Sequence, residues 1–279
     1  MKPTLTAAII TLNERRNLPG LLAALDWVDE IVVVDGGSRD GTVEMARQAG
    51  ARVDCRPFRD YQQQRNLALD MATSDWVLTI DADERPTREL RDEVLAKIRD
   101  VRNPYVAFRV PIRSTILGRP FHFAGTQDDR PIRLYRRRSA RWTKQVHEAV
   151  EVRGPVGRLN HVLLHDTLPT VEEFLQKVEH YTTLEAVRLV AEGRRLRPFE
   201  AYVRPPAAFL RRYVWKLGMF DGWEGLVFCA LSAFSTWVKC AKLRRSLGSG
   251  EPLQRMSGIE RQGERTSTTR QAKPEAVCT

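Results

Sequence analysis

Over its first hundred residues the chain alternates between two hydrophobic periods. Short apolar runs bounded by turn residues, LTAAIITLN (5–13), EIVVVDGGS (30–38), ARVDCRPF (51–58) and DWVLTI (75–80), predict buried strands. Between them apolar residues recur at helical spacing. Asn17 stands as a cap, with Pro19 in the first turn and Leu21, Leu22 and Leu25 following. A second helix starts at Ser38 or Asp40, turns Val43 and Ala46 inward and stops at Gly50. A third covers Tyr61–Met71, and a fourth follows Pro86 with Leu90, Val94, Leu95 and Ile98 on one face. Strands alternating with helices predict an α/β domain whose mostly parallel sheet is covered on both faces.

After Asn103 the period changes. YVAFRVPIRSTILG (105–118), PIRLYRRRSARWT (131–143) and GRLNHVLLHD (157–166) predict strands or hairpins without crossover helices, a mixed or antiparallel extension of the sheet. From Thr170 the pattern is helical up to about residue 247. Residues 248–279 are rich in Ser, Thr, Gly, Gln and charge and predict a disordered tail. The expected organisation is a catalytic-type domain over 1–168, with halves at 1–100 and 101–168, a helical region over 169–247, and the tail.

Composition narrows the partners. With 279 residues and 42% hydrophobic content, the chain can bury one large α/β core. A net charge of +10 favours anionic partners: nucleic acid, anionic lipid or phosphorylated small molecules. Cys55, Cys229, Cys240 and Cys278 form no C-x-x-C pair, which points away from a zinc ribbon and toward a reducing, cytoplasmic compartment. The N-terminus lacks a signal-peptide pattern. No apolar stretch reaches the ~18 residues expected of a spanning helix.

In an open α/β sheet, ligands bind beyond the carboxyl ends of the strands. Three polar clusters fall there: TLNE (11–14), DGGSRDGT (35–42) and DADE (81–84). Each alone reads equally as an ordinary turn; together they predict one crevice. Gly36, Gly37 and Gly41 do not spell G-x-G-x-x-G, and no P-loop is present, so a metal is the better candidate for holding phosphates. Asp81 and Asp83, alternating about Ala82, would point the same way from an extended backbone, and hard oxygen ligands suit Mg²⁺ or Mn²⁺.

The ordered set TLNE, VVDGGSRDGT, QRNLAL and DWVLTIDADE resembles family 2 glycosyltransferases of the GT-A fold. IRLYRR, VHEAV and the aromatic C-terminal helices extend the likeness to the bacterial branch that adds sugars to the lipopolysaccharide inner core, over roughly residues 4–247. The resemblance implies a Rossmann-like nucleotide-sugar-binding domain and direct, inverting transfer, with UDP the implied nucleotide and glucose the implied sugar. Thr11, Asn13 and Glu14 would border base and ribose, and Asp35 would accept a hydrogen bond from the base. Arg65 would face the diphosphate, Asp81 and Asp83 would form the metal-binding DxD motif, and Glu84 would support the loop. Glu148 in the VHE motif would be the general base, with His147 completing the metal shell or touching diphosphate. The E-D pair that often carries the base in this family is missing, so Asp128 and Asp129 compete for the role.

The implied acceptor is a heptose or similar residue of a lipid-linked glycan at the inner face of the cytoplasmic membrane. Two alternatives share the fold: a polyprenyl-phosphate glycosyltransferase, and a membrane-surface binding protein without catalysis. His161 and His165, four apart, read as ordinary core or surface histidines, because further zinc ligands are missing nearby. The basic run 133–141 could grip a phosphorylated acceptor or line a solvated hairpin, and it lacks a nucleic-acid recognition motif. In the segment 209–245 a thirteen-residue apolar run, 226–238, is flanked by Arg211, Arg212, Lys216, Lys239, Lys242, Arg244 and Arg245, with Trp215, Trp223 and Trp237 among them. That pattern suits a helix at an anionic membrane interface or one packed on the catalytic domain.

Overall fold

In a computed structural model, residues 2–249 are described apart from 128, 146, 169, 195, 196 and 198; at 144, 145, 147–149, 176, 180, 184, 191 and 246–249 the description covers backbone only. The predicted tail lies outside the described residues from 250 on. The chain divides into two units, one of Met1–Ser114 and Asp128–Thr167, the other of Thr115–Gln127 and the segment from Leu168 onward.

The first unit opens with β1 (Leu5–Thr11), α1 (Leu18–Ala23), β2 (Glu30–Asp35), α2 (Thr42–Gln48), β3 (Arg52–Cys55), α3 (Tyr61–Met71), β4 (Trp76–Thr79), β5 (Glu84–Pro86) and α4 (Arg88–Arg99). It continues through β6 (Ala107–Arg109), the start of β7 (Ile112–Ile116) and, after β8 (Arg119–Pro120) in the other unit, β9 (Ile132–Arg136), β10 (Ala140–Gln145), β11 (His147–Val152), β12 (Val156–Arg158) and most of β13 (Leu163–Leu168). Seven strands form one sheet in the order β12-β6-β9-β4-β1-β2-β3. β1 runs parallel to β2 and β4, and β2 to β3, while β9 is antiparallel to β4 and β6. This is the mostly parallel sheet with a mixed extension that the periodicity predicts.

Alternation along the strands fills both faces. Leu5, Ala7, Ile9, Val33, Trp76 and Leu78 pack with Leu21 of α1 and Leu90, Val94 and Ile98 of α4. Ala8, Val32, Val34 and Val77 pack with Ala68 and Leu69 of α3. Asp60 and Thr87 cap α3 and α4, accepting from the N–H groups of Gln63 (2.8 Å) and Leu90 (3.2 Å). Helix α2 departs from expectation. Its N-cap is Gly41 in a left-handed conformation (φ 90°), not Ser38 or Asp40. Asp40 instead folds back in a turn, accepting from the Thr42 N–H at 3.1 Å.

In the second unit, Leu117 (φ 51°) and Gly118 (φ 77°) make the two-residue loop between β7 and β8. Residues 115–127 cluster with the helices because Ile116, Phe121 and Ala124 share a buried cluster with Leu168 and Cys229. Helices α5 (Val171–Ala191), α6 (Glu200–Leu210) and α7 (Gly222–Ser249) complete the unit. The run Gly218–Arg245 is long and apolar enough to cross a membrane by length and composition, with a mean hydropathy of 1.4 over its most apolar 18-residue window. The apolar run 226–238 ends at Lys239 and follows Glu224 and Gly225, so counting it alone gives a shorter stretch than a window that tolerates a charge. Two of the expected flanking cations are engaged inside the unit: Lys239 pairs with Glu185 (3.0 Å) and Lys242 with Glu179 (3.1 Å), both on α5.

Candidate active site

The loops after β1 and β2 form one hydrogen-bonded body. Thr11 and Asp35, the last residues of their strands, stand in register. The buried Asp35 carboxylate accepts four bonds: from the Gly37 and Ser38 N–H groups (2.9 and 2.8 Å) on one oxygen, and from the Thr11 and Ser38 hydroxyls (2.9 and 2.5 Å) on the other. Those four donors fill the carboxylate's acceptor directions. Asn13, at φ 58°, donates its N–H to Ser38 Oγ (2.7 Å) and accepts from the Arg39 N–H (3.0 Å). The Glu14 N–H donates to Thr42 Oγ1 at 2.9 Å. Burial raises the Glu14 pKa, a hydrogen bond from Asn17 opposes that, and the charges of Asp83, Asp40 and Asp81 add to the rise. Glu14, after β1, thus lies close enough to Asp81 and Asp83, after β4, for their charges to act on it.

Beyond β4 the chain does not stay extended. The Glu84 N–H closes a turn onto the Asp81 carbonyl at 2.9 Å, so Asp81 and Asp83 face different partners, contrary to the extended-strand expectation. Asp81 accepts from Arg65 Nη2 on Oδ1 (2.9 Å) and from Arg133 Nη2 on Oδ2 (2.8 Å). Arg133 also donates to Glu84 Oε1 (2.5 Å), and Glu84 Oε2 accepts the Asp81 N–H (2.9 Å). Burial acts to raise the Asp81 pKa, but the Arg133 and Arg65 charges outweigh it and hold the carboxyl far below the usual range. Asp83 meets His165 instead, with Nε2 and Oδ2 3.2 Å apart. The pairing of β13 with β5, His165 opposite Glu84, brings that imidazole to the turn. Burial lowers the His165 pKa, yet its bond to Asp83 and the nearby carboxylates prevail, and the net shift is upward.

Arg65 lies 4.7 Å over the Trp142 ring, and its Nε and Nη1 are buried without a hydrogen-bond partner among the described residues. Trp142 is itself fixed. Its backbone N–H and C=O pair with the Asn66 side-chain amide, both at 3.0 Å, and its Nε1–H donates to Tyr135 Oη at 3.2 Å. Helix α3 therefore grips the β10–β11 hairpin. Glu148 and His147 sit on β11, with backbones opposite Lys144 and Gln145. Their side chains, and the whole of Asp128, lie outside the described residues. Asp129 is exposed, and its carbonyl accepts the Ile112 N–H at 3.0 Å.

A divalent cation fits part of this arrangement. Among the described residues no group of three or more His, Cys, Asp or Glu side chains converges as a metal cage. Asp83 and His165 do offer one carboxylate and one imidazole at adjoining positions. Mg²⁺-type ions are usually held by one or two protein groups plus substrate phosphates and water. Both Asp81 oxygens are already occupied by arginines.

A parallel-sheet domain with its polar crevice at the ends of β1, β2 and β4 has the GT-A architecture of sugar-transferring enzymes. Residues 6–151 match Glycosyl transferase family 2, more than half of the chain, and the protein belongs to that family of glycosyltransferases. It is 33% identical over 255 residues to the lipopolysaccharide core biosynthesis glycosyltransferase LpsC of Rhizobium meliloti (strain 1021), covering 86% of this chain and 94% of that relative. An uncharacterized glycosyltransferase of Rickettsia felis is 30% identical over 264 residues, covering 87% and 90%. Among solved structures, S. aureus TarS 1–349 superposes with a TM-score of 0.43 at 13% identity, covering 89% of this chain and 92% of that one.

Two site residues escaped the sequence reading. His165 was set aside with His161, yet the two do different things: the His161 Nδ1 lies 2.8 Å from Glu93 on α4. Arg133 was one of several cations in a basic run. Its place on β9, adjoining β4 in the sheet, separates it from the rest. No alternation singled it out: Arg133, Leu134 and Tyr135 are all buried, and Arg136 at the end of the strand is exposed.

Proposed function

We propose that the protein is an inverting, metal-dependent hexosyltransferase that moves a sugar from a UDP-linked donor to a hydroxyl of a lipopolysaccharide-core or related lipid-linked glycan, working peripherally at the inner face of the cytoplasmic membrane. The observation that carries this reading is Arg65. It is a buried guanidinium anchored to Asp81 by one nitrogen, with Nε and Nη1 unpartnered among the described residues. Arginine's planar fork suits a diphosphate, and unpartnered buried donors call for a ligand. The likeness to a lipopolysaccharide core biosynthesis enzyme over most of both chains supports the acceptor class.

In this reading Thr11, Asn13 and Glu14 border the base and ribose, and Asp35 positions the loop they belong to. Asp83 and His165 would hold Mg²⁺ or Mn²⁺, while Asp81 anchors the two arginines next to it. When bound, the cation supplies neutralisation of the charge on the departing diphosphate. Arg65 contributes the same stabilisation from its Nε and Nη1 donors. Glu148 takes the proton of the attacking hydroxyl, and His147 borders the diphosphate. Asn66 positions the hairpin that carries both.

The test is donor hydrolysis and transfer, measured separately. Purified protein with Mn²⁺ should release UDP slowly from its donor sugar, and Asp83→Ala should abolish that release. Glu148→Gln should keep the thermal shift produced by donor and lose transfer. Full transfer by Glu148→Gln would remove the base assignment and turn attention to Asp128 and Asp129.

A further inference from the structure

The helical unit carries a corner rich in exposed apolar side chains. Between α6 and α7 the chain passes through a π-helical turn, Arg211–Trp215, and a 3-10 turn, Gly218–Asp221. Within ten residues it exposes Val214, Trp215, Leu217, Met219, Phe220 and Trp223, with Trp215 at 83% and Trp223 at 71%. An exposed cluster of this kind marks an interaction surface.

The corner is built rather than frayed. Leu217 adopts φ 58°, a conformation uncommon outside glycine, and Gly222 φ 73°. A Cβ on Gly218 would meet the Arg212 carbonyl at 2.8 Å, and one on Gly225 would collide with the Gly218 carbonyl. Asp221 is buried, accepting from the His122 and Phe123 N–H groups at 3.0 and 3.1 Å. The Arg212 guanidinium donates to the Ala124 carbonyl at 2.8 Å and lies 5.3 Å over Phe228. Asp221, Arg212 and the two glycines fix the shape of the segment; Trp215 and Trp223 are its most exposed large side chains, while Phe220 keeps one contact, to Phe123 at 5.7 Å between ring centroids.

Charge decides the occupant. Arg211 is exposed and Lys216 partly so, in the same turns as the aromatics. The two acids of the segment present no free charge: Asp221 is engaged by backbone, and Glu224 pairs with Arg119 at 3.0 Å. Tryptophan and phenylalanine beside cations, without opposing carboxylates, match the headgroup layer of an anionic bilayer. A spanning α7 is disfavoured, because Lys239 and Lys242 tie it to Glu185 and Glu179 of a charged helix that would have to enter the bilayer too.

We infer that the corner 211–223 is a rigid wedge that inserts its aromatic side chains into the headgroup region of an anionic membrane. The inference deepens the peripheral location in the proposed function and names the surface responsible for it. The test uses the full chain, phosphatidylcholine vesicles, and the same vesicles with about 30% phosphatidylglycerol. Wild type should co-sediment with the anionic vesicles, less so in high salt, and brominated lipid should quench its tryptophans at shallow depth. Trp215→Ser/Phe220→Ser/Trp223→Ser should weaken binding about tenfold or more while keeping the far-ultraviolet spectrum and Mn²⁺-dependent donor hydrolysis. Hydrolysis thus reports on the enzymatic reading separately. Vesicle binding equal to wild type in the triple variant would overturn the inference. So would no binding by wild type, or a lipid-free dimer that the triple variant dissolves.

Discussion

The strand ends of β2 and β4 look alike in sequence and differ in physics. Each is an apolar run ending in an aspartate and a cluster of turn residues. At β2 the carboxylate is closed: Asp35 is 1% exposed and accepts four bonds from its own loops. At β4 the charges are open-ended. Asp81 satisfies one nitrogen of Arg65 and leaves two others unpartnered among the described residues, while Asp83 stands with an imidazole beside it. A closed carboxylate makes a rigid wall, and an open cluster makes a place for a charged ligand. One crevice needs both.

Mutations should separate the two ends, and the largest effect belongs to the open one. Asp83→Ala should lower Mn²⁺-dependent UDP release by more than the about 10–100-fold that outer-shell partners of a metal typically cost, with thermal stability nearly unchanged. Arg65→Ala should reduce kcat by roughly 100–1,000-fold, the range for removing one preorganised donor to developing charge. Arg65→Lys should recover little, because an ammonium cannot reproduce the fork.

At the closed end the readout should be stability. Asp35→Ala leaves several buried donors without an acceptor and should cost about 3 kcal/mol, visible as a lower denaturation midpoint. Asn66→Ala should cost less, about 1 kcal/mol. It should also lower transfer more than donor hydrolysis, since it loosens the β10–β11 hairpin rather than the diphosphate cradle. If it changed both rates equally, the positioning role of Asn66 would be wrong.

The smallest effect concerns neither end. Burial raises the Glu93 pKa, but the N–H groups of His161 and Asn160 and the His161 ring outweigh it and hold the carboxyl below its ordinary value. A carboxylate depressed by folding adds stability above its unfolded pKa of about 4.3 and loses it as pH falls through the lower folded value. The stability gap between wild type and Glu93→Gln should therefore close on acidification through that window, as denaturant titrations at fixed pH would record.

These contrasts also explain what could be read from the chain alone. Strands β1 to β4 and the helices between them were legible because each buries a continuous apolar run or a helical stripe, and periodicity is local. The polar clusters at the strand ends were legible as sites for the same reason. Their division of labour was not. Asp83 and His165 are 82 positions apart and meet only because β13 pairs with β5. Arg133 looked like its neighbours in a basic run, since burial of one cation in five depends on which strand β9 adjoins. The turn at Ala82–Asp83, which sends the two aspartates to different partners, is closed by reciprocal bonds between Glu84 and Asp81.

The split between the two aspartates can be measured directly as Mn²⁺ affinity in the presence of UDP, by electron paramagnetic resonance of the free ion, for wild type, Asp81→Asn, Asp83→Ala and His165→Ala. If Asp83 and His165 hold the cation and Asp81 holds the arginines, Asp83→Ala and His165→Ala lose the protein-bound fraction while Asp81→Asn keeps it. Retained Mn²⁺ binding in Asp83→Ala together with its loss in Asp81→Asn would contradict the account.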